Sequence, residues 1–369
     1  MFPTNPSINV LILSDGRPGH LKQCEAVYLE LEKLYQSRGF SKEDVACETL
    51  EMKLKTKAAK KIVFYLTYLP RLLGQWLALR CLRSSLDRTR YVELMKKKAD
   101  VIISPFGQRT IAVNLPLSRQ CNAKSVVLMN PRSVIGKFDL AIVHRHSNAK
   151  EGKNTILTDG APNTIERTVL EARARELRGE VGVTADVIIG LLVGGDYKRY
   201  RMSEDKIAAL VRQVKGLGES SGAEFLVSTS LRTPAHIENL LRRELAGDPR
   251  CKLLVIANER NRPGAVEAIL GLCDAVIVSP ESVSMISEAA SSGAHVLTFE
   301  DSEFLDDEHK RFLQNVERKG YLKVVDVTQI GKYVKQFLCD GRRTKTLDDR
   351  PAIRKGLESL VDSTGTGRW

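Results

Sequence analysis

The stretch Ala275-Val276-Ile277-Val278-Ser279-Pro280-Glu281-Ser282-Val283-Ser284-Met285-Ile286-Ser287-Glu288-Ala289-Ala290 decides the fold. Four apolar residues bounded by polar ones read as a strand buried on both faces. The Ser-Pro-Glu-Ser turn that follows, with Ser282 at the N-cap position, opens a helix that ends at Gly293. A buried strand running directly into a helix is one step of a parallel βαβ series, and open α/β sheets bind ligands at the carboxyl ends of their strands. Ser279, Glu281, Ser282 and Ser284 place polar groups at that end, where a helix start offers backbone N–H groups and a positive dipole end to an anion. Glu288 lies further along the helix, on a face able to reach a ribose diol. The plainer alternative is a well-capped helix with an incidental glutamate.

The same alternation extends in both directions. Around this segment, strands are expected at 187–193, 224–228, 252–256, 296–299 and 322–325, with helices at 204–217, 235–245, 265–271, 307–318 and 330–337. Towards the N-terminus, strands read at 8–14, 45–50, 101–104, 125–129, 140–143 and 155–157, with helices at 21–36, 58–83, 92–97 and 109–117. The charged, helix-prone segment 165–177 sits between the two series. The expected organisation is an α/β chain of two Rossmann-like domains, 1–164 and 181–345, joined by a linker helix at 165–180. A C-terminal helix lies within 346–369, placed to dock on the first domain. A chain of 369 residues suits two such domains better than one.

Three further loops carry polar groups at strand ends. Ser14-Asp15-Gly16-Arg17-Pro18-Gly19-His20 follows the first strand and opens a helix near Leu21. Gly16 and Gly19 permit close backbone approach, and the set Asp15, Arg17 and His20 exceeds what a turn needs. His20 is the best candidate general base, because imidazole titrates near neutrality; the alternative is a helix-start histidine bonded to backbone. Gly194-Gly195 after the strand at 187–193 suits close approach to a phosphate or to an interdomain cleft. Ser228-Thr229-Ser230-Leu231-Arg232 supplies three hydroxyls and a guanidinium able to grip a diphosphate. Neither GxGxxG nor GxxxxGK[ST] is present, so the argument rests on three loops converging on one sheet edge.

The net charge of +12 is concentrated between Lys53 and Arg90, where ten basic residues face one acid, Asp87. Within that segment Ile62–Leu79 is apolar but broken by Pro70, Arg71 and Gln75. That pattern favours a membrane-surface element presenting Lys60, Lys61, Arg71 and Trp76 to an anionic bilayer over a transmembrane span. A helix pair buried in the first domain with a solvated basic rim is the alternative. No nucleic-acid partner is expected, since the aromatics do not interleave with the basic residues. Seven dispersed cysteines without a CxxC pair read as reduced thiols, and no secretory leader precedes the first strand. The expected location is therefore cytoplasmic, peripheral on the inner face of the membrane. His144 and His146 lack neighbouring ligands, so no metal is expected. No GxSxG stands at a strand-to-helix turn, the one match, Gly218–Gly222, following a helix instead, and no tyrosine has a lysine four residues on, which argues against hydrolase and short-chain epimerase chemistry.

SDGRPGH (Ser14–His20), STSLRTP (Ser228–Pro234) and SPESVSMISEA (Ser279–Ala289) resemble the signature blocks of the ELM1-like family; TDGAPNTI (Thr158–Ile165) and LLVGGDYKRY (Leu191–Tyr200) are similar to two further blocks. Bacterial members carry the labels mitochondrial fission ELM1 family protein or nucleoside-diphosphate-sugar epimerase. The family resembles the GT-B glycosyltransferases, which implies two Rossmann-like domains facing across a cleft, with the sugar nucleotide held mainly by the second. By that resemblance Gly194, Gly195, Ser230, Arg232, Ser282, Ser284 and Glu288 line the donor site, Glu288 facing the ribose. The SDGRPGH loop faces the acceptor, with His20 or Asp15 as base. The family's second glycine loop continues with proline and, further on, histidine; Asp196 and Arg199 stand there here, so donor specificity is expected to differ.

The expected function is sugar transfer from a nucleotide-diphospho-sugar to a lipid-linked or envelope glycan acceptor at an anionic membrane surface, with no cofactor. Two alternatives remain: a membrane-docked adaptor of the same fold, as plant relatives suggest, and a non-hydrolysing sugar-nucleotide isomerase.

Overall fold

The computed structural model describes residues 7–53, 65, 71–301 and 305–362. The chain divides into two compact units: Met1–Thr158 with Pro162–Thr164 and Asp349–Trp369, and Asp159–Ala161 with Ile165–Asp348.

The first unit is built on six parallel strands, β1 (Ile8–Ser14), β2 (Val45–Glu51), β3 (Val101–Pro105), β4 (Lys124–Leu128), β5 (Leu140–His144) and β6 (Thr155–Thr158), in the order β2-β1-β3-β4-β5-β6. The period of two along β1 sorts its side chains between two cores. Ile8, Val10 and Ile12 lie in one core with Cys24, Val27 and Leu31 of the helix Pro18–Ser37, and Ile353 and Leu357 of the helix Arg350–Asp362 extend that core over β5 and β6. Leu11 and Leu13 point the other way, into a cluster with Leu82, Ala112 and Val113. The C-terminal helix is thus a core element of this unit. It is fastened at its rim by Arg354 to Glu30 at 2.8 Å and Arg38 to Asp362 at 2.7 Å.

The second unit holds β7 (Ile188–Val193), β8 (Glu224–Thr229), β9 (Cys251–Val255), β10 (Ala275–Val278), β11 (His295–Phe299) and β12 (Lys323–Val325), all parallel, in the order β12-β11-β10-β7-β8-β9. Counted within the unit this is the doubly wound order 3-2-1-4-5-6, and both units are Rossmann-like α/β. Every residue of β7 and β10 is buried, as the uninterrupted apolar runs require of central strands covered on both faces. The helix Arg167–Val181 belongs to this unit, with Leu170, Ala174 and Leu177 buried and the helix Ala265–Leu272 beside it. Gly271 permits that approach, because an added Cβ would fall on the Leu170 carbonyl.

In each sheet the strand order reverses once, and there the loops at the carboxyl ends diverge to leave room for a ligand. The reversal lies between β1 and β3 in the first unit and between β7 and β10 in the second. Three of the polar loops singled out in the sequence leave β1, β7 and β10, and the fourth, after Ser228, leaves β8 beside β7.

Candidate functional site

In the second unit β7 ends in Gly194-Gly195, β8 in Ser230–Arg232 and β10 in Ser279–Ser282. One side chain ties the three together. The Gly195 amide donates to Glu281 Oε1 at 2.8 Å, and Arg232 Nη2 stands 3.4 Å from the same oxygen. The Gly194 amide donates to Ser279 Oγ at 2.7 Å. A Cβ on Gly194 would fall on Glu281 Oε1, and one on Gly195 on the Arg232 backbone. These glycines therefore serve the protein's own loop packing, and their amides are engaged inside the fold. This corrects the expectation that they face a phosphate directly.

Arg232 is the group presented outward. Its side chain is 39% exposed while that of Glu281 is 0% exposed. The guanidinium is fixed by Nη1 donating to the Asp196 carbonyl at 3.3 Å, by the Glu281 contact, and by the Tyr197 ring, whose centroid lies 5.6 Å from Cζ. A guanidinium held on three sides, with solvent before it, loses little rotamer freedom when it meets an anion. Burial pushes the Glu281 carboxyl upward, while the Gly195 amide and the Arg232 charge pull the other way without cancelling it. Its Oε2 has no hydrogen-bond partner among the described residues.

The remaining residues expected here divide into two groups. Ser228 and Thr229 are buried; Ser228 Oγ donates to the Thr229 carbonyl at 3.4 Å and Thr229 Oγ1 accepts from the Ala257 amide at 2.9 Å. Both hydroxyls act within the sheet edge, not towards a ligand. Ser230 Oγ accepts from the Arg232 amide at 3.1 Å and so shapes the turn that carries the guanidinium. Ser282 stands at the N-cap of the helix Val283–Ser291 as expected, but its hydroxyl makes no cap bond and is buried. Ser284 and Glu288, four residues apart, share a face of that helix; Ser284 is half-buried and Glu288 is 8% exposed. Sequence reading missed Tyr197 and the pairing of Tyr200 with Asp301 at 2.7 Å. The Tyr-Lys-Arg-Tyr-Arg run was visible, but nothing in it shows that one ring backs a guanidinium more than thirty residues away.

In the first unit the loop after β1 holds an acid–imidazole pair. His20 Nδ1 lies 2.9 Å from Asp15 Oδ2, and the helix Pro18–Ser37 starts at this loop, with Pro18 in its first turn and Arg17 at the N-cap. Burial raises the Asp15 pKa, but the His20 hydrogen bond and charge, then the Arg17 amide and guanidinium, outweigh it, and the pKa is lowered. An ionised carboxylate only accepts, so Nδ1 carries a proton, and in the neutral ring Nε2 then holds the lone pair of a base. Gly16 has φ +83°, a left-handed conformation that suits glycine, and a Cβ there would also press on Glu51 Oε1. The Gly16 amide donates to Ser14 Oγ at 3.1 Å and that of Arg17 to Asp15 Oδ1 at 3.2 Å, so the loop fixes its own geometry. The Arg17 side chain is 70% exposed. Gly19 lies in the first helical turn. Gly107, after β3, closes on the carboxylate: its Cβ would lie 3.8 Å from Asp15 Oδ2. His144, at the end of β5, is buried and close enough to feel the His20 charge; burial first, then that charge, lowers its pKa to about 4.

Of the basic segment, Lys60 and Lys61 lie outside the described residues, and Arg71 and Trp76 are described only as backbone of the helix Arg71–Ser85. No helix among the described residues is long and apolar enough to cross a membrane.

Two Rossmann-like units, each with polar loops at its strand-order reversal, define a protein of the GT-B class. The chain belongs to the family described as Mitochondrial fission ELM1, whose model matches residues 18–353. It is 24% identical over 225 residues to the mitochondrial fission protein ELM1 of Arabidopsis thaliana, a match spanning 54% of this chain and about half (52%) of that relative. Among solved structures, the UDP-GlcNAc 2-epimerase of Methanocaldococcus jannaschii superposes with a TM-score of 0.59 at 13% identity, covering 96% of this chain and 99% of that one. A glycosyltransferase from Rickettsia africae gives 0.52 at 10% identity, covering 96% and 94%.

Proposed function

We propose that this chain is a glycosyltransferase that takes its sugar from a nucleoside-diphosphate sugar and delivers it to a lipid-linked or envelope glycan acceptor at an anionic membrane surface. The carrying observation is Arg232, fixed beside the β7–β10 reversal with its guanidinium facing solvent. In this reading it grips the pyrophosphate, and the N-terminus of the helix Val283–Ser291 adds its dipole to the charge that builds on the departing diphosphate. Glu288 and Ser284, on one face of that helix, reach the nucleoside. His20, oriented by Asp15, accepts the proton of the acceptor hydroxyl as the glycosidic bond forms and the nucleoside diphosphate leaves. The chemistry needs no cofactor. The UDP-GlcNAc 2-epimerase and the glycosyltransferase of like fold support a sugar-nucleotide ligand. The basic run Lys53–Arg90, with Lys60, Lys61 and Arg71, is the reading's membrane contact on the cytoplasmic face.

Calorimetric titration with UDP-, GDP-, ADP- and CMP-sugars tests it. One of the four binds to the wild-type chain and binds at least tenfold more weakly to Arg232→Ala. Failure of all four to bind a folded chain contradicts the reading and leaves the family's adaptor role. Product formed from the donor without added acceptor would instead indicate an isomerase.

A further inference from the structure

Among the described residues, Glu281 is the most confined acid of the second unit's sheet edge. Its side chain is wholly buried, whereas the Arg232 side chain that it contacts at 3.4 Å is 39% exposed. A ligand arriving at the guanidinium therefore meets a cation with an acid directly behind it. The acid cannot swing away, because its Oε1 also holds the Gly195 amide at 2.8 Å and occupies the space that Gly194 leaves by lacking a side chain. Water does not reach it, so its charge acts on the ligand with little screening.

We propose that Glu281 is a specificity-determining residue of this site: its fixed negative charge behind Arg232 offsets much of the extra pull that Arg232 exerts on the terminal phosphate of the free nucleoside diphosphate relative to the singly charged phosphodiesters of a nucleoside-diphosphate sugar. The inference rests on the donor reading above. The two phosphates of a sugar nucleotide are each esterified and carry one charge. The free diphosphate ends in a phosphomonoester, whose second ionisation near pH 6 gives it close to one more charge at neutrality. That extra charge falls on the group nearest Arg232 and is repelled by the acid behind it. Arg232 alone would favour the free diphosphate. The pair thus binds donor and lets the spent nucleotide go, with Arg232 supplying attraction and Glu281 setting how much ligand charge is welcome.

Glu281→Gln separates this from mechanical bracing, because glutamine keeps an oxygen for the Gly195 amide and loses only the charge. The measurement is calorimetry at pH 8 on the full chain, with the pairs UDP and UDP-N-acetylglucosamine, GDP and GDP-mannose, ADP and ADP-glucose. For the pair that binds, wild type holds the free diphosphate no more than tenfold more tightly than the sugar ester. In Glu281→Gln the affinity for the free diphosphate rises at least tenfold more than that for the ester. Equal shifts for both ligands, or a shift favouring the ester, overturn the inference while leaving the donor reading intact. Should the variant melt below the assay temperature, the wild-type ratio decides alone: a free diphosphate that binds more than tenfold more tightly than its ester overturns it. If no pair binds either protein, the inference and the donor reading fall together.

Discussion

At the scale of single residues, close packing and chemistry meet in Gly195 and in His20. An alanine at 195 would force its methyl into the Arg232 backbone, which has no rotamer by which to yield, whereas at 194 it meets the Glu281 carboxyl. Gly195→Ala and Gly194→Ala are each expected to cost about 3 kcal/mol in denaturant unfolding, at the upper end of overpacking effects. His20→Ala is expected to lower turnover by about 10²–10⁴, the range for a general base, while leaving calorimetric donor binding unchanged, since donor and base stand on different units. Asp15→Asn removes the carboxylate that holds Nδ1–H, and should lower turnover by a smaller factor than His20→Ala. Much of this chemistry was legible: Asp15, His20, Arg232 and Glu281 could all be singled out from residue type and position at strand ends. Their division of labour was not. That Thr229 bonds inward, and that the glycine amides hold Ser279 and Glu281, follows from contacts between residues 28 to 86 positions apart in the chain. Periodicity carries no information at that range.

Among elements, strands β5 and β11 each end or begin in a buried histidine, and these set an acid limit on stability. His144 and His295 both have pKa values lowered to about 4, through burial first and then the charge of His20 or Arg343. In the unfolded chain each titrates near 6.5, so between about pH 6.5 and 4 the unfolded state binds more protons and stability falls with pH. The expected loss is roughly 3 kcal/mol per histidine on going from pH 7 to 4, at 1.36 kcal/mol per pKa unit. Asp15 opposes none of this in that window, because its lowered pKa contributes stability that is lost only as pH falls below its unfolded value of about 3.9. Urea unfolding from pH 7 to 4 checks the slope. His295→Phe, whose ring can take over the stacking on Phe337 at 4.2 Å, should flatten the second unit's dependence. The strands were readable from their apolar runs, and those of β7 and β10 were the clearest because both faces are covered. Strand order was not readable, since a crossover helix returns its chain to either side of a sheet with the same local pattern.

For the whole chain, the last helix decides the fate of the first unit. Ile353, Leu357, Leu360 and Val361 are buried in the core over β5 and β6, so a chain ending at Asp348 exposes that face. At about 1.5–3 kcal/mol for each buried aliphatic side chain, the loss is comparable to the stability of a domain. Truncation after Asp348 is expected to abolish the melting transition of the first unit and leave that of the second, as read by calorimetric scanning and limited proteolysis. The most direct test of the donor site is the titration of wild-type and Arg232→Ala chains with nucleoside-diphosphate sugars. The account predicts saturable binding of at least one of them to the wild type and a loss of at least tenfold in the variant. Equal affinity in the two proteins, or no binding to either while both remain folded, would contradict it.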